Sequence, residues 1–291
     1  MGPIDSEAKT IAYLAVPVVF LGICLLGSII FNLSSFVKLH QHRDGARYAV
    51  PWLKASGVLI TIFIIFWLTF DAIQWGWYNG AYLNSMATHQ VNNFWALFKP
   101  VALGALIVTQ VELVIGLRYA SSLSQGKATA PSVRTPRAFS RMGYLLLVIL
   151  SLGRFVYLEY TTVALIDSPT PYRSYRALSM TLFALLLVQA FGSLIYAVGA
   201  TRGTSLESMR SRLVAMCSIT VVRQLYVVVV MSVGYAKPRL MYETNFAWII
   251  IPDVILVAGT ALICLALGYS MAAKRYGGLW ADNRPPSEVD A

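Results

Sequence analysis

Hydrophobic positions gather into seven long runs, near 11–37, 55–78, 96–118, 143–166, 178–200, 213–235 and 247–271, separated by polar connections. A run of roughly 20 apolar residues, wound as an α-helix, matches the hydrocarbon thickness of a bilayer. The pattern therefore predicts an all-α polytopic membrane protein, a seven-transmembrane-helix bundle. It divides the chain into a polar N-terminus (1–10), a transmembrane domain (11–271) and a cytosolic, disordered tail (272–291). The longest connection is about 119–142, and its Ser-, Thr-, Ala- and Pro-rich part from Ser121 to Pro136 is expected to be flexible. The first run is too long for a signal h-region, so no cleavable leader is expected.

Composition agrees, since 57% of the 291 residues are hydrophobic and 12% charged, against about one quarter charged in a soluble domain. The net charge of +10 would fit a nucleic-acid partner, but its distribution excludes that reading. Lys38, Arg43, Arg47 and Lys54 flank the first connection, Arg118, Lys127, Arg134, Arg137 and Arg141 the third, and Arg202, Arg210 and Arg212 the fifth. Lys274, Arg275 and Arg284 lie in the tail, whereas the opposite side holds only Lys9, Arg173, Arg176, Lys237 and Arg239. Basic residues concentrate on the cytosolic side. The N-terminus is thus expected outside or in the lumen, the C-terminus in the cytosol, and the basic residues against membrane lipids. Trp75, Trp77, Tyr78, Tyr82, Phe94, Trp95 and Trp248 fall at predicted outer ends, as interfacial anchors do. Cys24, Cys217 and Cys264 fall inside spans and read as packing residues. Asn32-Leu33-Ser34 matches a glycosylation sequon inside the first span, where it should go unused.

Ionisable residues within the spans carry the functional information, because a charge in hydrocarbon normally faces a partner, a cavity or a ligand. In the second span, Trp67, Asp71, Gln74, Trp75 and Tyr78 share one helical face. That face reads either as an aromatic belt with a salt-bridged Asp71 or as a pocket where an acid meets ring faces. Lys99 and Glu112 lie in the third span, Arg154, Tyr157 and Glu159 in the fourth, and Gln189, Ser193 and Tyr196 in the fifth. Thr220, Arg223 and Tyr226 align on the sixth, and Asp253 begins the seventh. The span acids Asp71, Glu112, Glu159 and Asp253 outnumber the span bases Lys99, Arg154 and Arg223. One carboxyl is therefore expected without a basic partner, and position favours Asp71 or Asp253 as this catalytic acid. Burial disfavours its charged form.

Other chemistries lack their residues. His40, His42 and His89 read as loop residues, and no H-E-x-x-H, C-x-x-C, G-x-S-x-G or phosphate-cradling glycine loop is present. No metal and no cofactor is expected. The seventh span has no lysine for a retinal Schiff base, and the third ends Gly116-Leu117-Arg118-Tyr119 with no acid before the arginine. Seven spans otherwise resemble a receptor or sensor in topology alone.

The size, the span count and the intramembrane acids beside aromatics resemble the small integral-membrane terpene cyclases of fungal meroterpenoid pathways. The likeness is particularly to the ascofuranone and macrophorin type, and the Cys-Asn…Trp-Glu segment expected of the paxilline-type enzymes is absent. This resemblance implies a metal-independent isomerase or lyase of secondary metabolism in the endoplasmic reticulum membrane. Its substrate would be a lipophilic prenylated small molecule. Asp71 or Asp253 would protonate a terminal epoxide or alkene. Trp67, Gln74, Trp75, Tyr78, Tyr157, Arg223 and Tyr226 would line the substrate, ring faces steadying the carbocations. As an alternative, Arg223-x-x-Tyr226 followed by Glu243 and Asp253 is similar to the last two spans of fungal lipid-translocating exporter-like proteins. A cyclase should enclose an apolar, aromatic cavity. An exporter should show a lateral groove or a polar path through most of the membrane depth, and a receptor a cytosolic opening among the third, fifth and sixth spans. The oligomeric state is open at this point.

Overall fold

The computed structural model describes residues 3–39, 47–78, 85–124, 134–164, 169–200, 207–236 and 253–273, whose regular elements are all helical. Six long helices come first: α1 (Pro3–Lys38), α2 (Ala49–Tyr78), α3 (Ser85–Ser124), α4 (Arg134–Ala164), α5 (Pro169–Ala200) and α6 (Glu207–Ala236). A π-helical turn, Ile255–Gly259, then leads into α7 (Thr260–Ala272). Among the described residues seven helices are long and apolar enough to cross a membrane. This is a multi-pass membrane protein.

Several helices outrun their apolar runs. α3 starts at Ser85 and ends at Ser124, and α4 starts at Arg134, so the segment expected to be flexible is helical at its two ends, 121–124 and 134–136. Near an interface the backbone still needs partners for its N–H and C=O groups, and a helix supplies them. Pro136 fits because the first turn of a helix leaves its N–H groups unbonded anyway. Residues 3–10 likewise belong to α1. His89, expected in a loop, is an exposed residue of α3. Residues 125–133, His40, His42, Trp248 and the tail from 274 onward, including 283–291, lie outside the described residues.

α3 is the central post. It packs on α2, α4, α5, α6 and α7, and every position of its apolar window is buried, whereas α1 and α4 turn most of theirs outward. Without a hydrophobic drive between lipid-embedded helices, close approach at small residues and interhelical hydrogen bonds must hold them. Gly57 on α2 shows how. A methyl group there would lie 2.5 Å from the Phe31 ring of α1, and one turn along α2 Asn32 donates to Thr61 Oγ1 at 2.8 Å. The sequon asparagine is thus occupied as a helix–helix tie. Arg47, read as a loop charge, is buried and donates to the Ala272 carbonyl at 3.2 Å. There it satisfies one of the carbonyls that the end of α7 leaves free.

Candidate functional site

The α2–α3 seam carries an aromatic ladder. Phe66 stacks against Phe94 and Phe98 with centroids 5.2 and 5.5 Å away, and Trp67 meets Phe63 at 5.3 Å and Trp95 at 5.7 Å. Phe70 lies parallel to Trp95 at 6.3 Å. Offset and tilted ring pairs of this kind are favourable. Trp95, expected as an interfacial anchor, sits well inside α3, and its indole N–H is buried with no hydrogen-bond partner among the described residues.

At the ladder's edge α2, α3, α6 and α7 bring charges together. The Lys99 ammonium is 3.2 Å from Asp253 Oδ2, with side chains 9% and 22% exposed. It also lies 5.4 Å from the Trp67 ring and 5.1 Å from the Trp95 ring. Trp67 therefore already presents ring surface to a resident cation. Asp253 is helical and lies two residues before the start of the π turn, a widening often found at functional positions. Asp71, one turn beyond Trp67, is within electrostatic reach of Asp253, as is Tyr226 on α6. Asp71 Oδ2 is buried without a hydrogen-bond partner among the described residues. The two catalytic candidates thus differ: among the described residues Asp253 has a cation and Asp71 has none. Lys99 and Trp95 were not among the expected site residues, although Trp95-x-x-x-Lys99 places both on one face of α3.

Deeper in the bundle a polar chain continues. Arg223 is fully buried, and its three guanidinium nitrogens have no hydrogen-bond partner among the described residues. It lies within electrostatic reach of Cys264 on α7. The Cys264 thiol is 3.7 Å from Thr220 Oγ1, and Thr220 accepts from Gln110 Nε2 at 2.6 Å. Gln110 Oε1 accepts from Ser193 of α5 at 3.1 Å. Lys99 to Arg118 covers about 28 Å of α3 at ~1.5 Å per residue, close to the whole hydrocarbon thickness of about 30 Å.

The remaining span charges find separate partners. Glu112, 1% exposed, is gripped by Arg137 at 2.9 Å and Arg141 at 2.7 Å. Both arginines come from the start of α4, so counting only bases within the predicted spans missed them. Their long stems reach inward from the helix end. Glu159 accepts from Asn93 at 3.0 Å. Arg154 donates to Tyr175 Oη at 2.6 Å, with Phe183 beside it. Neither Arg154 nor Arg223 pairs with a carboxylate among the described residues, so the count of span bases against span acids does not by itself say which carboxyl is left without a base. Tyr157 lies on α4, which packs mainly on α3 and α5. Gln74 and Trp75 are half-buried on the Asp71 side of α2, and the side chain of Tyr78 lies outside the described ones. All three cysteines are buried and unpaired. Among the described residues no cluster of three or more His, Cys, Asp or Glu could hold a metal ion.

At the end of the bundle holding the α3–α4 connection, a groove of about 440 Å³ opens between α3, α4 and α5. Ile107, Val111, Pro136 and Phe139 form apolar walls, and Arg118, Gln189, Ser193 and Tyr196 supply the polar lining. Arg118 donates to Tyr196 Oη at 3.5 Å. Ser193 belongs to both the groove and the polar chain.

Fold and site together define a seven-helix membrane protein with buried polar groups inside it and a groove in its side. Comparison with protein-family models, curated proteins and solved structures finds no match.

Proposed function

We propose that this protein handles an amphipathic lipid, exchanging it between the two leaflets along the interior polar track. The supporting observations are the Lys99–Asp253 pair, the buried Arg223, and the hydrogen-bonded Thr220–Gln110–Ser193 chain, whose Ser193 also lines a laterally open groove. A headgroup crossing bare hydrocarbon loses its hydration, and internal donors and acceptors can replace that water. The sequence has no phosphate-cradling glycine loop, so the exchange proposed is passive. From the distribution of Lys and Arg we place the N-terminus on the lumenal or outer side, which puts the groove in the cytosolic leaflet.

The test is reconstitution into liposomes carrying NBD-labelled phosphatidylserine or phosphatidylcholine in both leaflets, with dithionite reporting the outer pool. Protein-containing vesicles should lose nearly all fluorescence, protein-free vesicles about half. Arg223→Met should return the signal toward that half. Equal bleaching with and without protein would sink the proposal.

A second reading, terpene cyclisation in the endoplasmic reticulum membrane, is favoured by one observation: a buried Asp71 oxygen without a partner beside an aromatic ladder. On that reading Asp71 protonates an epoxide or alkene of a prenylated substrate. The final carbocation returns a proton to a nearby base, for which Asp253 is placed. Microsomes given a farnesylated phenol and its terminal epoxide should then form cyclised product. No turnover of either compound would remove this reading.

A further inference from the structure

We infer that the groove between α3, α4 and α5 is a binding site for a single anionic lipid, its acidic headgroup held by Arg118 at the mouth and one chain lying between α4 and α5. The inference deepens the lipid-exchange reading by naming the charge class of the substrate, and its test measures binding alone.

Shape and charge point the same way. From Arg118 to Ile107 the groove follows α3 for about 16 Å at ~1.5 Å per residue, roughly one leaflet of an approximately 30 Å core. Its walls are apolar, and Phe139 on its rim is 73% exposed, so the groove opens toward lipid tails. Gly192 leaves the floor open, because a Cβ there would meet nothing within 4 Å. Arg118 has one hydroxyl contact, with Tyr196 at 3.5 Å, and no carboxylate partner among the described residues. A phosphate or carboxylate headgroup would complete its shell through charge-assisted hydrogen bonds. Farther in, Gln189 is 9% exposed, with its amide packed against Gly143 of α4.

The experiment places the protein in phosphatidylcholine nanodiscs doped with a diazirine-acyl phosphatidic acid or, separately, a phosphatidylcholine bearing the same chain. After irradiation, labelled peptides are mapped. Phosphatidic acid should label the peptides containing Phe139 and Gly192 at least 5-fold more than phosphatidylcholine does at equal mole fraction. Arg118→Gln should bring that ratio near one while labelling persists. Gly192→Phe, which fills the floor, should remove groove labelling but leave labelling of the outward face of α1 unchanged. A ratio near one in the parent protein would overturn the inference, as would groove labelling unaffected by Gly192→Phe. If Gly192→Phe does not fold, an undiminished ratio in Arg118→Gln overturns it alone. Preferential labelling without lipid exchange in liposomes would support this site while removing the translocation reading.

Discussion

Lys99 of α3 reaches across to Asp253 at the head of α7, ammonium to carboxylate at 3.2 Å, with the Trp67 and Trp95 rings within 5.4 Å of the same nitrogen. This one cation links α2, α3 and the helical segment ahead of α7, and it distinguishes two aspartates. Asp253 is neutralised, whereas Asp71, within electrostatic reach of Asp253, has no cation of its own among the described residues.

Removing only the cation should cost more than removing the pair. Lys99→Met leaves two carboxyls facing each other, and an uncompensated buried charge costs about 3–5 kcal/mol. Asp253 is 22% exposed, so the lower end, about 3 kcal/mol, is expected. Lys99→Met/Asp253→Asn should recover at least half of that loss. Thermal unfolding in detergent checks the order, and a double variant less stable than Lys99→Met would contradict it.

The seven helices were legible because a span needs only a long apolar run, and every one of them left that mark. Helix ends were not, since Ser85 to Phe94 and Arg134 to Met142 are too polar to register as span yet fold as helix. Of the site, Asp71, Asp253, Tyr226 and Arg223 could be named because a charge or a phenol in an apolar run is conspicuous. Their pairing could not, because which helix faces which is decided by packing around α3. Arg137 and Arg141 show the limit most plainly. By position they counted as topology signal, yet their side chains reach inward to Glu112, a carboxylate only 1% exposed.

For that carboxylate, the two arginines should act as alternates. Glu112 is 1% exposed, while Arg137 and Arg141 keep 22% and 45%. Loss of Arg141 alone should cost under about 1 kcal/mol, as for an exposed ion pair. Arg137→Gln/Arg141→Gln strands Glu112 and should cost about 3–5 kcal/mol. Glu112→Gln should cost less than the double variant, because the freed arginines can reach water. Unfolding in detergent ranks the three, and a double variant no worse than Arg141→Gln would refute the arrangement.

Two glycines should respond with opposite sign. A methyl at Gly57 would lie 2.5 Å from Phe31, so Gly57→Ala must push α1 away and is expected to cost about 1–3 kcal/mol by overpacking. Gly153 of α4 has nothing within 4 Å of that position. There Gly→Ala should stabilise by about 0.5–1 kcal/mol, through helix propensity and the unfolded chain. Paired melting curves decide it, and equal shifts for both would mean α1 and α2 do not meet at Gly57.

Asp71 and Arg223 should separate the two functional readings. If Asp71 is a proton donor, Asp71→Asn keeps the side chain's shape but removes the acid, and general-acid loss lowers turnover by about 10²–10⁴-fold. In that case lipid exchange in liposomes should be unaffected, since Asp71 is not hydrogen-bonded into the polar track. Arg223→Met should do the reverse. It removes a charge buried at the centre of the track and slows exchange, while the protein itself becomes no less stable, because a hydrophobic side chain replaces an unpaired ion. Measuring exchange, cyclised product and melting temperature for both variants gives four-way discrimination. A fall in exchange for Asp71→Asn equal to that for Arg223→Met would mean that acid and guanidinium serve one path, and the cyclase reading would lose its only support.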